Sequence, residues 1–125
     1  MSPKTIKITG WALSVVLGIV LAMSAFMKLT QNETAIEQAA LFGIDADTYF
    51  WIGVVEITSL ILFFIPRTGV VGALLLIAYL GGAIVTHLQH QDSIVMAVVI
   101  QIILWITAAF RFPELSQRLF SSPKP

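Results

Sequence analysis

Cysteine is absent from this chain, and charge is scarce. Without thiols there is no disulfide exchange, no thiolate metal site and no reduction of a quinone by a vicinal thiol pair. Charged residues make up 11% of the chain, against about 25% in an ordinary soluble domain. Lys plus Arg and Asp plus Glu number 7 each, so the net charge is zero and no basic excess is on offer to nucleic acid. Internal repeats, low-complexity tracts and Gly-rich phosphate loops are lacking too.

What is there is apolar. Hydrophobic residues are 58% of 125, and the mean hydropathy is +0.92. A water-soluble domain of this size buries too small a fraction of its surface to hide so much. The surplus is expected to face lipid. Four apolar runs stand out, over about 10–28, 49–65, 70–88 and 94–110. Each is close to the lower limit of about 17 residues for crossing a hydrocarbon core. Lipid offers the backbone no hydrogen-bond partners, so each run is predicted to be a helix. The first run follows Lys4 and Lys7 as a signal peptide would, but it exceeds the usual length of one and is closed by Lys28. It is taken as a retained span. The chain is thus expected to be one all-α domain over 1–125, an integral membrane four-helix up-down bundle.

Basic residues orient it. With the N-terminus in the cytoplasm, Lys4, Lys7, Arg67, Arg111, Arg118 and Lys124 lie inside and only Lys28 lies outside. That bias places both termini in the cytoplasm. Pro66-Arg67-Thr68-Gly69 reads as a tight turn between the second and third spans. In the longer acidic loop from Leu29 to Thr48, Asn32 could cap a short helix with Ile36, Ala39, Ala40 and Leu41 on one face and Gly43 as its stop. Ser14, Gly18 and Ala22 on the first span, and Ala78, Gly82 and Thr86 on the third, form small-residue stripes that suit close helix packing.

Four polar residues within or at the ends of these runs need explaining. Glu56 lies about 10 Å below the outer end of its helix, where a carboxyl must face the interior and find a partner. Gly53 and Ser59 share its face. Lys28 and His87 close helices that start inside, so their side chains lean into the membrane. Glu56 and Gln101 belong to helices that start outside and lean toward them. Lys28, Glu56, His87 and Gln101 are therefore the expected polar cluster, in the outer half of the bundle. Plainer readings stand beside this one. Lys28 can be a snorkelling anchor, Gln101 interhelical glue, and Lys28–Glu56 a purely structural ion pair. Glu56, His87, His90 and Asp92 have the composition of a metal site but no recognised spacing, so no metal is assigned. Trp11, Trp51 and Trp105 suit interface belts, with Trp105 deep enough to floor a cavity. No residue is assigned a catalytic role.

A Lys closing the first helix, Gly53-Val54-Val55-Glu56 opening the second, the Pro-Arg-Thr-Gly turn, and Gly81-Gly82-Ala83-Ile84-Val85-Thr86-His87-Leu88 resemble the DoxX-like family of small bacterial membrane proteins. The resemblance implies a four-helix protein of the bacterial inner membrane. It also implies a loose link to respiratory quinone chemistry and to membrane complexes that handle oxidative stress, which leaves function to be argued from the site. Three functions are compatible with the residues. The first is a non-catalytic protein whose outer pocket holds a small amphipathic ligand such as a quinone or lipid. The second is an accessory subunit of a membrane oxidoreductase. The third is a small oligomeric transporter with Glu56 as proton carrier. The corresponding partners are the lipid bilayer, a membrane redox protein, or further copies of the chain.

Overall fold

The structure is a computed structural model and describes residues 1–121. The described residues are helical throughout, with no strand. Six helices follow one another: α1 (Pro3–Leu29), α2 (Glu33–Leu41), α3 (Ala46–Phe64), α4 (Gly69–Gln89), α5 (Val95–Arg111) and α6 (Pro113–Phe120). Pro66–Thr68 forms a 3-10 turn between α3 and α4. Lys124, one of the expected inside charges, lies outside the described residues.

The long helices pack in a closed order, α1 on α3, α3 on α4, α4 on α5 and α5 on α1. Leu17, Leu21, Leu60, Phe63, Leu76, Leu80 and Leu104 fill the centre. Ile8, Val15, Ile19, Met23 and Phe26 on the opposite side of α1 are exposed, as are Val95, Met96, Val99, Ile102 and Ile106 on α5. Apolar inside and apolar outside is the pattern of a helix assembly bathed in lipid. Three helices are long and apolar enough to cross a membrane alone. The fourth, α5, has 17 residues and joins the count only together with α6, from which it is bent by 106°.

The apolar runs mark the helices well, but capping groups and breakers set the ends. Ser2 caps α1 by accepting from the Thr5 N–H, which carries the helix back to Pro3, well before the apolar run begins. Asp45 caps α3 in the same way through Thr48. Phe112 ends α5, and Pro113 starts α6 at a position where its missing N–H costs nothing. The apolar runs give no sign of α6. Its signal is Leu115 and Leu119 spaced by one turn, each directly after a charged residue, Glu114 and Arg118.

The acidic loop does hold a short helix. Asn32 Oδ1 accepts from the Ala35 N–H, and Gly43 turns the chain with a φ of 74°. The face differs from the expected one. Ala35 and Ala39 are buried, whereas Leu41 is 78% exposed.

At the α6 end of the molecule one side chain gathers three helices. Pro66 has no N–H, so the Leu62 carbonyl one turn earlier has no helical partner. The Thr68 hydroxyl donates to it at 2.9 Å. Arg111 donates to the next carbonyl, Phe63, at 2.8 Å, and to Ser14 Oγ at 3.3 Å. Its guanidinium lies 3.9 Å from the Trp11 ring centroid and 4.7 Å from that of Phe63. A cation placed on free carbonyls at a helix C-terminus is stabilised by the helix dipole. Arg111 thus ties α5 to the C-terminal end of α3 and to the first half of α1.

Glycines set the closest approaches. A Cβ on Gly72 would overlap the Phe63 backbone. One on Gly82 would meet nothing within 4 Å. Gly72→Ala is therefore expected to push α3 and α4 apart and cost about 1–3 kcal/mol, while Gly82→Ala stays within about 0.5 kcal/mol of the parent. Thermal unfolding in a mild detergent checks the pair, and equal effects would defeat the account.

Candidate polar site

At the other end of the molecule, where α2 lies, α1 and α3 meet across Gly53. A Cβ there would sit 2.7 Å from Lys28 Cβ, so the glycine lets the Lys28 stem pass between the helices. Gly53, Glu56 and Ser59 form one buried face of α3. Glu56 is fully buried and Lys28 is 7% exposed.

Lys28 Nζ donates to Glu56 Oε2 at 3.0 Å and to Ser24 Oγ at 2.6 Å. Ser24 in turn donates to Glu56 Oε2 at 3.3 Å. Tyr79 of α4 donates its hydroxyl to the same oxygen at 3.0 Å. The ammonium also lies 5.3 Å from the Tyr49 ring centroid and 5.8 Å from that of Tyr79. Three helices therefore converge on one carboxylate oxygen. The other, Oε1, is buried without a hydrogen-bond partner among the described residues.

Sequence reasoning misses Tyr79. Tyrosine is ordinary in an apolar run, and no spacing rule ties it to a carboxylate on another helix. Ser24 sits one turn below Lys28, but that position alone does not assign it to the cluster.

His87 and Gln101 take different places. His87 Nδ1 pairs with Asp92 Oδ2 at 2.8 Å across the short α4–α5 link, away from Glu56. The His87 hydrogen bond holds the exposed Asp92 carboxyl below its ordinary range. What that contact adds to the link is therefore fully present above the usual carboxylate range and fades as acid protonates Asp92. Phe42, just after α2, lies edge-on to His87, with ring centroids 5.1 Å apart, and against His90 at 5.2 Å. Gln101 donates to the Ile77 carbonyl of α4 at 3.1 Å, and its Oε1 is buried without a partner among the described residues. Lys28 and Glu56 thus share one hydrogen-bonded centre, while His87 and Gln101 each bond elsewhere. Among the described residues no group of acidic and histidine side chains is arranged to hold a metal ion.

A cavity of about 450 Å³ adjoins this centre. Lys28, Gln38, Tyr49, Tyr79, Thr86 and His87 supply its polar wall, and Phe42 with Gly82 part of the apolar one. Residues of α2 form one side, so α2 borders the cavity as a cover. Here the small-residue stripe of α4 has a role other than the expected one. Ala78, Gly82, Ala83 and Thr86 line the cavity, and the space beside Gly82 is open. Missing side chains make room instead of bringing a neighbouring helix closer. Trp105 is 43% exposed and is not on the cavity wall, so it floors nothing.

A family model, that of the DoxX-like family, matches residues 12–110, from the first half of α1 to the end of α5. No curated protein and no solved structure matches.

Breaking a buried ion pair from one side leaves the other charge uncompensated. Lys28→Met or Glu56→Leu alone is expected to destabilise by on the order of 3 kcal/mol, and the double substitution to recover part of that loss. Tyr79→Phe, which removes one donor from Glu56 Oε2, is expected to cost about 1–2 kcal/mol. Denaturation in detergent gives the double-mutant cycle, and strict additivity of the two single changes would show that the pair is not coupled.

Proposed function

The chain belongs to the DoxX-like family, and from that membership we propose that it is a non-catalytic integral membrane protein holding a small amphipathic ligand, such as a quinone or lipid, in a polar pocket. In this reading α1, α3, α4 and α5 are four transmembrane spans of a bundle in the bacterial inner membrane. Both termini are cytoplasmic, and α2 covers the pocket from outside. Lys4, Lys7, Arg67, Arg111 and Arg118 all belong to the α6 end, which supports a cytoplasmic placement for that end.

One observation carries the ligand reading. A cavity of about 450 Å³ opens against an ammonium group that a buried carboxylate holds in place. That volume falls within the usual range for small-molecule sites of about 300–1,000 Å³. The wall combines mostly apolar surface with a few placed polar groups, as such sites do. Transport is less well supported, since Phe63, Leu104, Ala108 and Phe112 pack the α6 end closed.

A native mass spectrum of the protein taken from its own membranes is expected to show one small amphipathic molecule per chain. Gly82→Leu, which places a side chain inside the cavity, is expected to reduce its retention. An empty cavity together with a co-purifying redox protein would favour the accessory-subunit reading instead. For the orientation, a reporter fused after Pro125 is expected to read as cytoplasmic and one in the Asn32–Asp47 loop as external. The reverse pattern would sink the placement of the pocket in the outer half.

A further inference from the structure

The ligand reading leaves the chemistry of the head group open. Resting on that reading, we infer that the cavity takes an uncharged amphiphile whose head is a hydrogen-bond acceptor, a carbonyl above all, with Lys28 and Tyr49 as its donors. Carboxylate, phosphate and ammonium heads are rejected.

The donor count supplies the first half of this inference. An ammonium has three N–H groups. Ser24 and Glu56 take two from Lys28, which leaves one unspent on a residue that lines the cavity. Tyr49 also lines it, and its hydroxyl makes no hydrogen bond among the described residues. The neighbouring hydroxyls are committed. Tyr79 donates to Glu56, and Thr86 donates to the Gly82 carbonyl at 2.9 Å. Beside the Lys28–Glu56 centre the unspent groups are therefore donors, and they call for an acceptor.

The charge balance supplies the second half. Lys28 and Glu56 cancel at 3.0 Å, and His87 Nδ1 is hydrogen-bonded to Asp92 Oδ2 at 2.8 Å. No cation of the wall is left without an acidic partner. A carboxylate or phosphate on the free Lys28 N–H would place a second anion beside fully buried Glu56, where water cannot screen it. An ammonium head would meet Lys28 directly. A neutral carbonyl accepts the same hydrogen bond and adds no charge beside the Lys28–Glu56 pair. Ile52, Ala78, Gly82 and Ala83 then give the tail an apolar channel.

Three probes with the same ten-carbon chain separate the heads: 2-decanone, decanoic acid and decylamine. Each is added to the full-length protein in lipid nanodiscs, and thermal unfolding is followed. Gly82→Leu is run in parallel, so that partition of the probe into the bilayer cancels. At pH 8, 2-decanone is expected to raise the unfolding midpoint of the parent by about 3–5 °C more than that of Gly82→Leu. Decanoate and decylamine, both charged there, are expected to give less than about a third of that difference. At pH 4, decanoic acid becomes largely neutral and is expected to match the ketone measured at the same pH. Tyr49→Phe keeps the ring and removes the donor, and is expected to weaken ketone binding about threefold to tenfold. A shift by decanoate equal to that of the ketone at pH 8, or an unchanged ketone affinity in Tyr49→Phe, would overturn the head-group assignment while the pocket stands. If every probe shifts the parent and Gly82→Leu equally, the pocket reading itself fails, and this inference with it.

Discussion

A charge inside lipid needs a partner within the protein, because the solvent supplies none. Glu56 meets that demand with three donors from two other helices. Lys28 and Ser24 come from α1 and Tyr79 from α4, all on one oxygen. Much of the local arrangement follows from it. Gly53 has no side chain because the Lys28 stem passes there. Helices α1, α3 and α4 are fixed in rotation, since turning any one would carry its donor or acceptor toward lipid and strand the others. Lipid tails are as apolar as the Leu side chains of the core, so apolar packing alone specifies rotation weakly. A buried polar contact specifies it strongly.

The opposite end meets the same demand by different means. There the charge is Arg111, and its partners are a backbone carbonyl and a serine hydroxyl, flanked by aromatic rings. The carbonyl is free because Pro66 ends α3. A helix breaker thus creates an acceptor, and a cation from a distant helix takes it. The two ends are packed differently. At the α6 end Gly10, Gly69 and Gly72 are each packed closely against neighbouring residues. At the α2 end the glycines Gly81 and Gly82 touch nothing, and a cavity remains.

That contrast bears on how a small membrane protein keeps an internal space open. A void lined only by leucines could close by rotamer changes. Here the Lys28–Glu56 contact, Tyr79 and the cover α2 stand around a wall from which side chains are missing. The Phe42 ring rests on His87 and His90, so the cover is in contact with the start of the α4–α5 link.

Several of these features were legible from the residues. The apolar runs placed the four long helices to within about three residues at every end except the start of α1, because lipid leaves the backbone no alternative to the helix. Asn32 and Gly43 marked α2, because a cap and a left-handed glycine act locally. Lys28 and Glu56 could be paired from their depth and lean, since both follow from helix rise and Cβ direction. Other features depended on which faces meet in three dimensions. Tyr79 joined the carboxylate through the rotation of α4, which the tyrosine alone does not encode. Gln101 and His87 had suitable depth but turned to a carbonyl and to Asp92, because the nearer partner wins over the more interesting one. The stripe at Ala78 and Gly82 looked like a packing surface. Whether small residues admit a neighbouring helix or leave a space is settled by where the neighbour stands, and only the tertiary structure decides that.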